Sequence, residues 1–161
     1  MTRIEYNKAV DLHADNLYRF ILKNIHDVEK SKDIVQDTFL KVWDKHQEVS
    51  AEKVKSYMFS TGYRTMIDLI RREKKQSRIE EADLNKLTTS DQYSDLQQIL
   101  HEALDQLPET QKAVILLRDY EGYNYLEIGE ITGLTESQVK VYIYRARKFL
   151  QKYIGNIEVL I

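Results

Sequence analysis

Residues 138–153 carry Lys140, Arg145, Arg147, Lys148 and Lys152, and no carboxylate stands among them. Ammonium and guanidinium groups at that density suit phosphate oxygens. A helix starting just after Thr135 would add the partial positive charge of its N-terminus. Covalent chemistry finds no such support. The chain contains no cysteine, which excludes disulfides, thiolate metal sites and cysteine nucleophiles. His13, His26, His46 and His101 are scattered without metal-ligand spacing. There is no glycine loop to cradle a phosphate and no nucleophile elbow. The residues therefore predict binding rather than catalysis, with no metal, no cofactor and no small-molecule substrate.

The elements that must position these cations read as two short helices joined at Gly133. The first is predicted over residues 125–132. Asn124 can cap it, with Glu127 reaching back to the cap. The second follows Thr135, with Gln138 in the matching position of a second capping box. Gly133 can adopt the left-handed conformation that ends one helix and turns the chain. Ile128, Ile131 and Leu134 point inward, joined by Val139, Ile143, Ala146 and Leu150 at helical spacing. Gly129 is small enough for the second helix to cross close above the first. This is the pattern of a helix-turn-helix, whose second helix enters a DNA major groove. A lone basic helix would read as a solvated face. The two capping boxes, the glycine and the apolar stripe together favour DNA.

The chain has 161 residues, five glycines and one proline, which favours long helices over turn-rich sheet. No apolar run approaches the length of a membrane span, and residues 1–13 lack a signal-peptide core, so a cytoplasmic protein is expected. The net charge of −2 hides a segregation. Residues 62–78 hold six basic and two acidic side chains, residues 79–137 hold three and 13, and residues 138–161 hold five and one. Two basic patches thus flank an acidic stretch, and local potential matters more than net charge at the Debye length.

In order, helices are predicted over residues 4–26 and 28–47, with Asp27 capping the second. The second helix buries Ile34, Val35, Phe39, Val42 and Trp43 and shows Asp33, Gln36, Asp37 and Asp44 on its other side. A loop covers residues 46–53. A third helix, over residues 54–76, carries Phe59, Tyr63, Met66, Ile67 and Ile70 on one stripe and Tyr57, Ser60 and Arg64 on another. Gly62 inside it would permit a close approach by another helix or a ligand. Residues 77–93 lose periodicity and read as a linker. A second domain begins near residue 94, with Pro108 in the first turn of its second helix and Gly122 ending that helix. The fold class expected is all-α: two small helical domains, residues 1–76 and 94–161, joined by a polar linker over residues 77–93.

Taken together, the stretches DIVQDTFLKVW (33–43), YMFSTGYRTMIDLIRREKK (57–75), ALDQLPETQKAVILLRDYEGYNYLEIGEITGLTESQVK (103–140) and YRARKFL (144–150) resemble a sigma factor of bacterial RNA polymerase. The match is to the short, two-domain extracytoplasmic-function class and covers residues 8–153. It implies that Asp33, Gln36 and Asp37 dock on the clamp helices of the largest subunit of core RNA polymerase. It implies that the third helix binds the promoter's −10 element and helps melt it, through Tyr57, Ser60, Tyr63, Arg64, Arg71, Arg72, Lys74 and Lys75. The loop over residues 46–53 would capture an unstacked base. The helix-turn-helix would read the −35 element through Thr135, Glu136, Ser137, Gln138, Lys140, Val141, Tyr142, Tyr144, Arg145 and Lys148. Aromatic faces for bases and cations for phosphates are what holding a single strand requires. An anti-sigma factor is an expected further partner.

The chain departs from the family at Arg64, where Asn is usual, and at Val141 and Tyr142, where a small polar residue and Arg are usual. Base preference at these positions is therefore this chain's own. The competing reading is an autonomous helix-turn-helix regulator, which would need neither a docking face nor a melting helix. A helical adaptor binding only proteins is a further alternative. The two domains are expected either to drift or to pack together, with Glu80, Glu81 and Asp83 able to shield the basic end of the third helix.

Overall fold

The computed structural model describes residues 1–79 and 95–160, with side chains described for residues 1–77 and 95–155. Among the described residues it is entirely helical: α1 (Arg3–Ile25), α2 (Val28–Asp44), α3 (Val54–Ile79), α4 (Asp95–Asp105), α5 (Glu109–Asp119), α6 (Tyr125–Thr132) and α7 (Glu136–Leu160).

Local signals set most helix ends. Thr2 and Glu5 form a capping box at the start of α1. His26 ends α1 in the left-handed region (φ 54°) and donates its backbone N–H to Leu22 O. Asp27 then accepts from the Lys30 N–H at 3.0 Å and starts α2 at once. The helix α2 stops at Asp44, three residues short of the expected end, because residues 45–48 tighten into i→i+3 turns. Its successor α3 continues to Ile79, so the expected linker loses its first three residues to that helix. The rest of the linker, including Glu80, Glu81 and Asp83, lies outside the described residues. Pro108 sits at the N-cap of α5 rather than in its first turn, with extended backbone (ψ 147°). The following helix ends at Asp119. Gly122, expected to end it, instead lies in the turn beyond, at φ 76°.

The first three helices pack on one another around Leu17, Phe20, Ile21, Ile34, Met66 and Ile67. Gly62 marks the closest approach: a Cβ there would lie 2.9 Å from Leu17 Cδ1 and 3.4 Å from Thr38 Oγ1. The neighbour that the missing side chain admits is α1, another helix. Trp43, expected inward, is 37% exposed and stacks on the His46 ring, with centroids 4.0 Å apart.

The second half, α4 to α7, buries Ala113 to Leu117 on α5 against Ile128, Ile131, Val139, Ile143 and Ala146. These residues and those of the first half form one continuous core. Phe59 is the joint. Its ring lies 5.8 Å from Phe20 and 5.3 Å from Tyr123, and both Phe59 and Tyr123 are buried. Polar contacts ring this apolar centre. Arg19 grips Glu121 through two hydrogen bonds, at 3.2 and 2.9 Å. Lys112, nearly buried, donates to the Asn24 carbonyl at 2.9 Å and to Asp105 at 2.5 Å. Asp105 also meets His26 Nε2 at 2.8 Å. Burial alone would raise the Asp105 carboxyl, but its bonds to His26 and Lys112 outweigh burial and hold it below the ordinary range. Of the two expected arrangements, the structure adopts the packed one.

A shared core should make the halves unfold together. The single tryptophan, Trp43, reports the first half by fluorescence, while far-ultraviolet circular dichroism reports all the helices. Thermal melts by the two probes should coincide. Phe59→Ala should lower both midpoints, at a loss of about 3–5 kcal/mol for a fully buried ring. Two separated transitions in the unaltered chain would contradict the common core.

Candidate nucleic-acid interface

The helix-turn-helix is built from local bonds that the sequence pattern foretells. The Glu127 N–H donates to Asn124 Oδ1 at 2.8 Å, and the Asn124 N–H donates to Glu127 Oε1 at 3.1 Å. Gly133 takes φ 79° and donates to Gly129 O. The Gln138 N–H meets Thr135 Oγ1 at 3.1 Å, and the Thr135 N–H meets Gln138 Oε1 at 2.9 Å. The small size of Gly129 serves a different neighbour from the one expected. A Cβ there would lie 2.8 Å from the carbonyl oxygen of Leu134. The close approach is by the turn itself, not by the second helix.

This frame buries Ile128, Ile131, Val139, Ile143 and Ala146, with Leu134 and Leu150 half-buried. The opposite face of α7 is thereby turned outward. Thr135, Glu136, Ser137, Gln138, Lys140, Val141, Tyr144, Arg145 and Lys148 are all exposed. Glu136 lies 3.7 Å from Lys140, so the one acid of this face leans on its own cation. Tyr142 differs from its neighbours: it is half-buried and packs against the shared core. Arg147, also on α7, is held by Asp119 at 2.7 Å.

Folding adds two residues that sequence spacing did not single out. The Tyr125 ring lies between cations, with Arg118 4.8 Å and Lys140 5.7 Å from its centroid. Arg118 and Tyr125 precede the basic segment in the chain and join it only through the turn between α5 and α6. Their nearest sequence signal was the capping position at Asn124, which says nothing of the ring's cationic neighbours.

On α3, Arg64, Arg71, Arg72, Lys74 and Lys75 are exposed and Tyr57 and Ser60 are half-buried. Tyr63 is buried, at 6% exposure. Burial chiefly pushes its phenol up, partly offset by a hydrogen bond with Thr110 on α5. Lys74 Nζ lies 2.7 Å from Glu109 and Arg71 Nε lies 4.0 Å from it. In this arrangement Tyr63 presents no face to a base, and two of the cations have a carboxylate partner.

On α2, Asp33 and Gln36 are exposed and Asp37 is half-exposed, 3.0 Å from Lys41. Leu40 stands beside them at 65% exposure. Positions 33, 36, 37 and 40 share one helical face. Among the described residues no cluster of side chains could hold a metal, and no helix is long and apolar enough to cross a membrane.

Comparison with known proteins bears on both halves. Residues 9–76 match the family described as Sigma-70 region 2, and residues 97–150 match Sigma-70, region 4. The RNA polymerase sigma factor SigV of Bacillus subtilis (strain 168) is 34% identical over 142 residues, spanning 86% of this chain and 84% of SigV. The ECF RNA polymerase sigma factor SigM of the same organism is 24% identical over 150 residues, spanning 90% and 92%. Among solved structures, the sigma factor RpoE, in complex with the anti-sigma factor NepR from Bartonella quintana, superposes with a TM-score of 0.78. It shares 22% identity and the match covers 93% of this chain and 96% of that one. At that identity the likeness speaks to the fold.

The geometry separates residues that build the interface from residues that line it. Val139→Asp should unfold the chain, because an unpaired charge at a fully buried site of the shared core costs several kcal/mol. Gly129→Ala should destabilise by about 1–3 kcal/mol, since a backbone carbonyl cannot move aside as a side chain can. Arg145→Ala should leave the melting temperature within error. Urea unfolding followed by circular dichroism checks all three, and a folded Val139→Asp protein would refute this facing of α7.

Proposed function

The chain belongs to the RNA polymerase sigma factors, in the extracytoplasmic-function class, and we propose that its two halves divide promoter recognition between them. Residues 94–161 read the −35 element as duplex, and residues 1–76 hold the −10 element as it melts. The observation that carries this reading is the exposed face of α7. It aligns Lys140, Val141, Tyr144, Arg145 and Lys148 on one side of a helix whose other side is core. A major groove accepts such a helix. Cations meet its phosphates, while Val141 suits a thymine methyl. Tyr142, packed against the core, acts at the edge of this surface rather than at its centre.

Core polymerase docks on α2. Asp33, Gln36 and Asp37 supply polar contacts there, and the exposed Leu40 adds apolar area beside them. The chain contributes recognition, and the polymerase contributes the chemistry. It works in the cytoplasm, where its polymerase and promoter DNA are. RpoE was solved with the anti-sigma factor NepR, and CnrH with the cytosolic domain of CnrY. An anti-sigma factor is proposed as a partner of this chain by that analogy of fold.

Each surface has its own test. Asp37→Arg should weaken capture of core polymerase without changing the melting temperature, because its carboxylate is half-exposed and pairs only with Lys41 on its own helix. Unchanged co-purification with core enzyme would remove the docking assignment. Arg145→Ala should weaken binding of duplex promoter by the holoenzyme about equally across sequences. It should also flatten the dependence of log K on log salt by about one unit, the signature of one lost phosphate contact. A change confined to one base position would make Arg145 a base reader instead.

A further inference from the structure

Glu109, the first residue of α5, meets the cationic end of α3. Glu109 Oε2 lies 2.7 Å from Lys74 Nζ, and its Oε1 lies 4.0 Å from Arg71 Nε. Tyr63, on the same helix, is buried, at 6% exposure. A carboxylate thus lies against cations that would track a strand's phosphates, while a ring on which a base would stack is in the core. Cations and an aromatic face are the two components that single-strand binding needs. Lys74 attracts a phosphate less strongly while Glu109 holds the ammonium, because the carboxylate already offsets its charge. The Lys74 contact is chiefly what keeps the Glu109 carboxyl below its ordinary range, so it stays an anion at neutral pH.

We infer that Glu109 is an internal surrogate for a nucleic-acid phosphate, which holds the cationic end of α3 closed until the backbone of a single DNA strand displaces it. The inference rests on the proposed role of α3 at the −10 element. It deepens that role by naming the competitor. The expected affinity of the free chain for a strand is its intrinsic affinity scaled by the fraction in which Glu109 has left. An ion pair this exposed contributes little, so the gain on removing it is about two- to fivefold.

The test is a fluorescence-anisotropy titration of a short labelled single-stranded oligonucleotide with the full chain at low salt. Four proteins are compared: the unaltered chain, Glu109→Gln, Glu109→Ala, and Glu109→Gln combined with Arg71→Ala and Lys74→Ala. Glutamine keeps the shape of the turn and removes the charge, while alanine guards against a residual amide contact. Both single variants are expected to bind about two- to fivefold more tightly, and the triple variant to lose the gain. If neither single variant binds more tightly, yet the triple variant binds more weakly than the unaltered chain, Glu109 is no competitor and α3 remains a DNA surface. If the triple variant binds as tightly as Glu109→Gln, Arg71 and Lys74 do not meet the strand. The reading of α3 then falls, and the inference with it.

Discussion

One face of α3 cannot be buried under α5 and α6 and also be open to nucleic acid. Phe59 is fully buried against Phe20 and Tyr123, and Tyr63 is buried as well. Burying a side chain of this size stabilises by roughly 1.5–3 kcal/mol. The surrounding ion pairs, exposed as they are, contribute about 0–1 kcal/mol each. The apolar joint therefore holds the halves together, and the charged rim sets what can compete with it. Against the joint stands the Tyr123 hydroxyl, buried with no hydrogen-bond partner among the described residues. An unsatisfied buried hydroxyl costs about 1–3 kcal/mol, comparable to what one ring contributes.

The same arithmetic explains why the two proposed DNA surfaces differ in availability. The outward face of α7 needs no rearrangement, because its cations stand opposite a stripe already satisfied by α5 and α6. The face of α3 does need one. A sigma factor folded this way would offer duplex contacts before single-strand contacts. Melting competence would follow separation of the halves. The proposed docking face on α2 belongs to the same three-helix unit as α3.

The sequence disclosed whatever depends on neighbours in the chain. Two capping boxes, the left-handed Gly133 and the stripe from Ile128 to Leu150 are all set within a few residues, and each is present in the structure. The closeness implied by Gly62 is there too, with Leu17 as the neighbour. What the sequence concealed is long-range. Tyr63 is buried in a core to which both halves contribute. The bond from Lys112 to the Asn24 carbonyl joins residues 88 positions apart. The scattered His26 and His101 prove to be neighbours, with rings 6.3 Å apart, because α1 ends where α4 passes. An aromatic on an amphipathic helix reads the same whether it faces the core of its own unit, a second unit or a base.

This sigma factor keeps the single-strand surface of α3, unlike the open face of α7, incompletely available until core polymerase engages it. The most direct measurement is a titration of one labelled promoter, carrying both −35 and −10 elements, with the free chain and with the chain bound to core enzyme at a single salt concentration. Tight binding that depends on both elements by the complex, and weaker binding that depends on the −35 element alone by the free chain, is the predicted result. A free chain that binds the promoter as tightly and as selectively as the complex would contradict the account, and would favour an autonomous regulator.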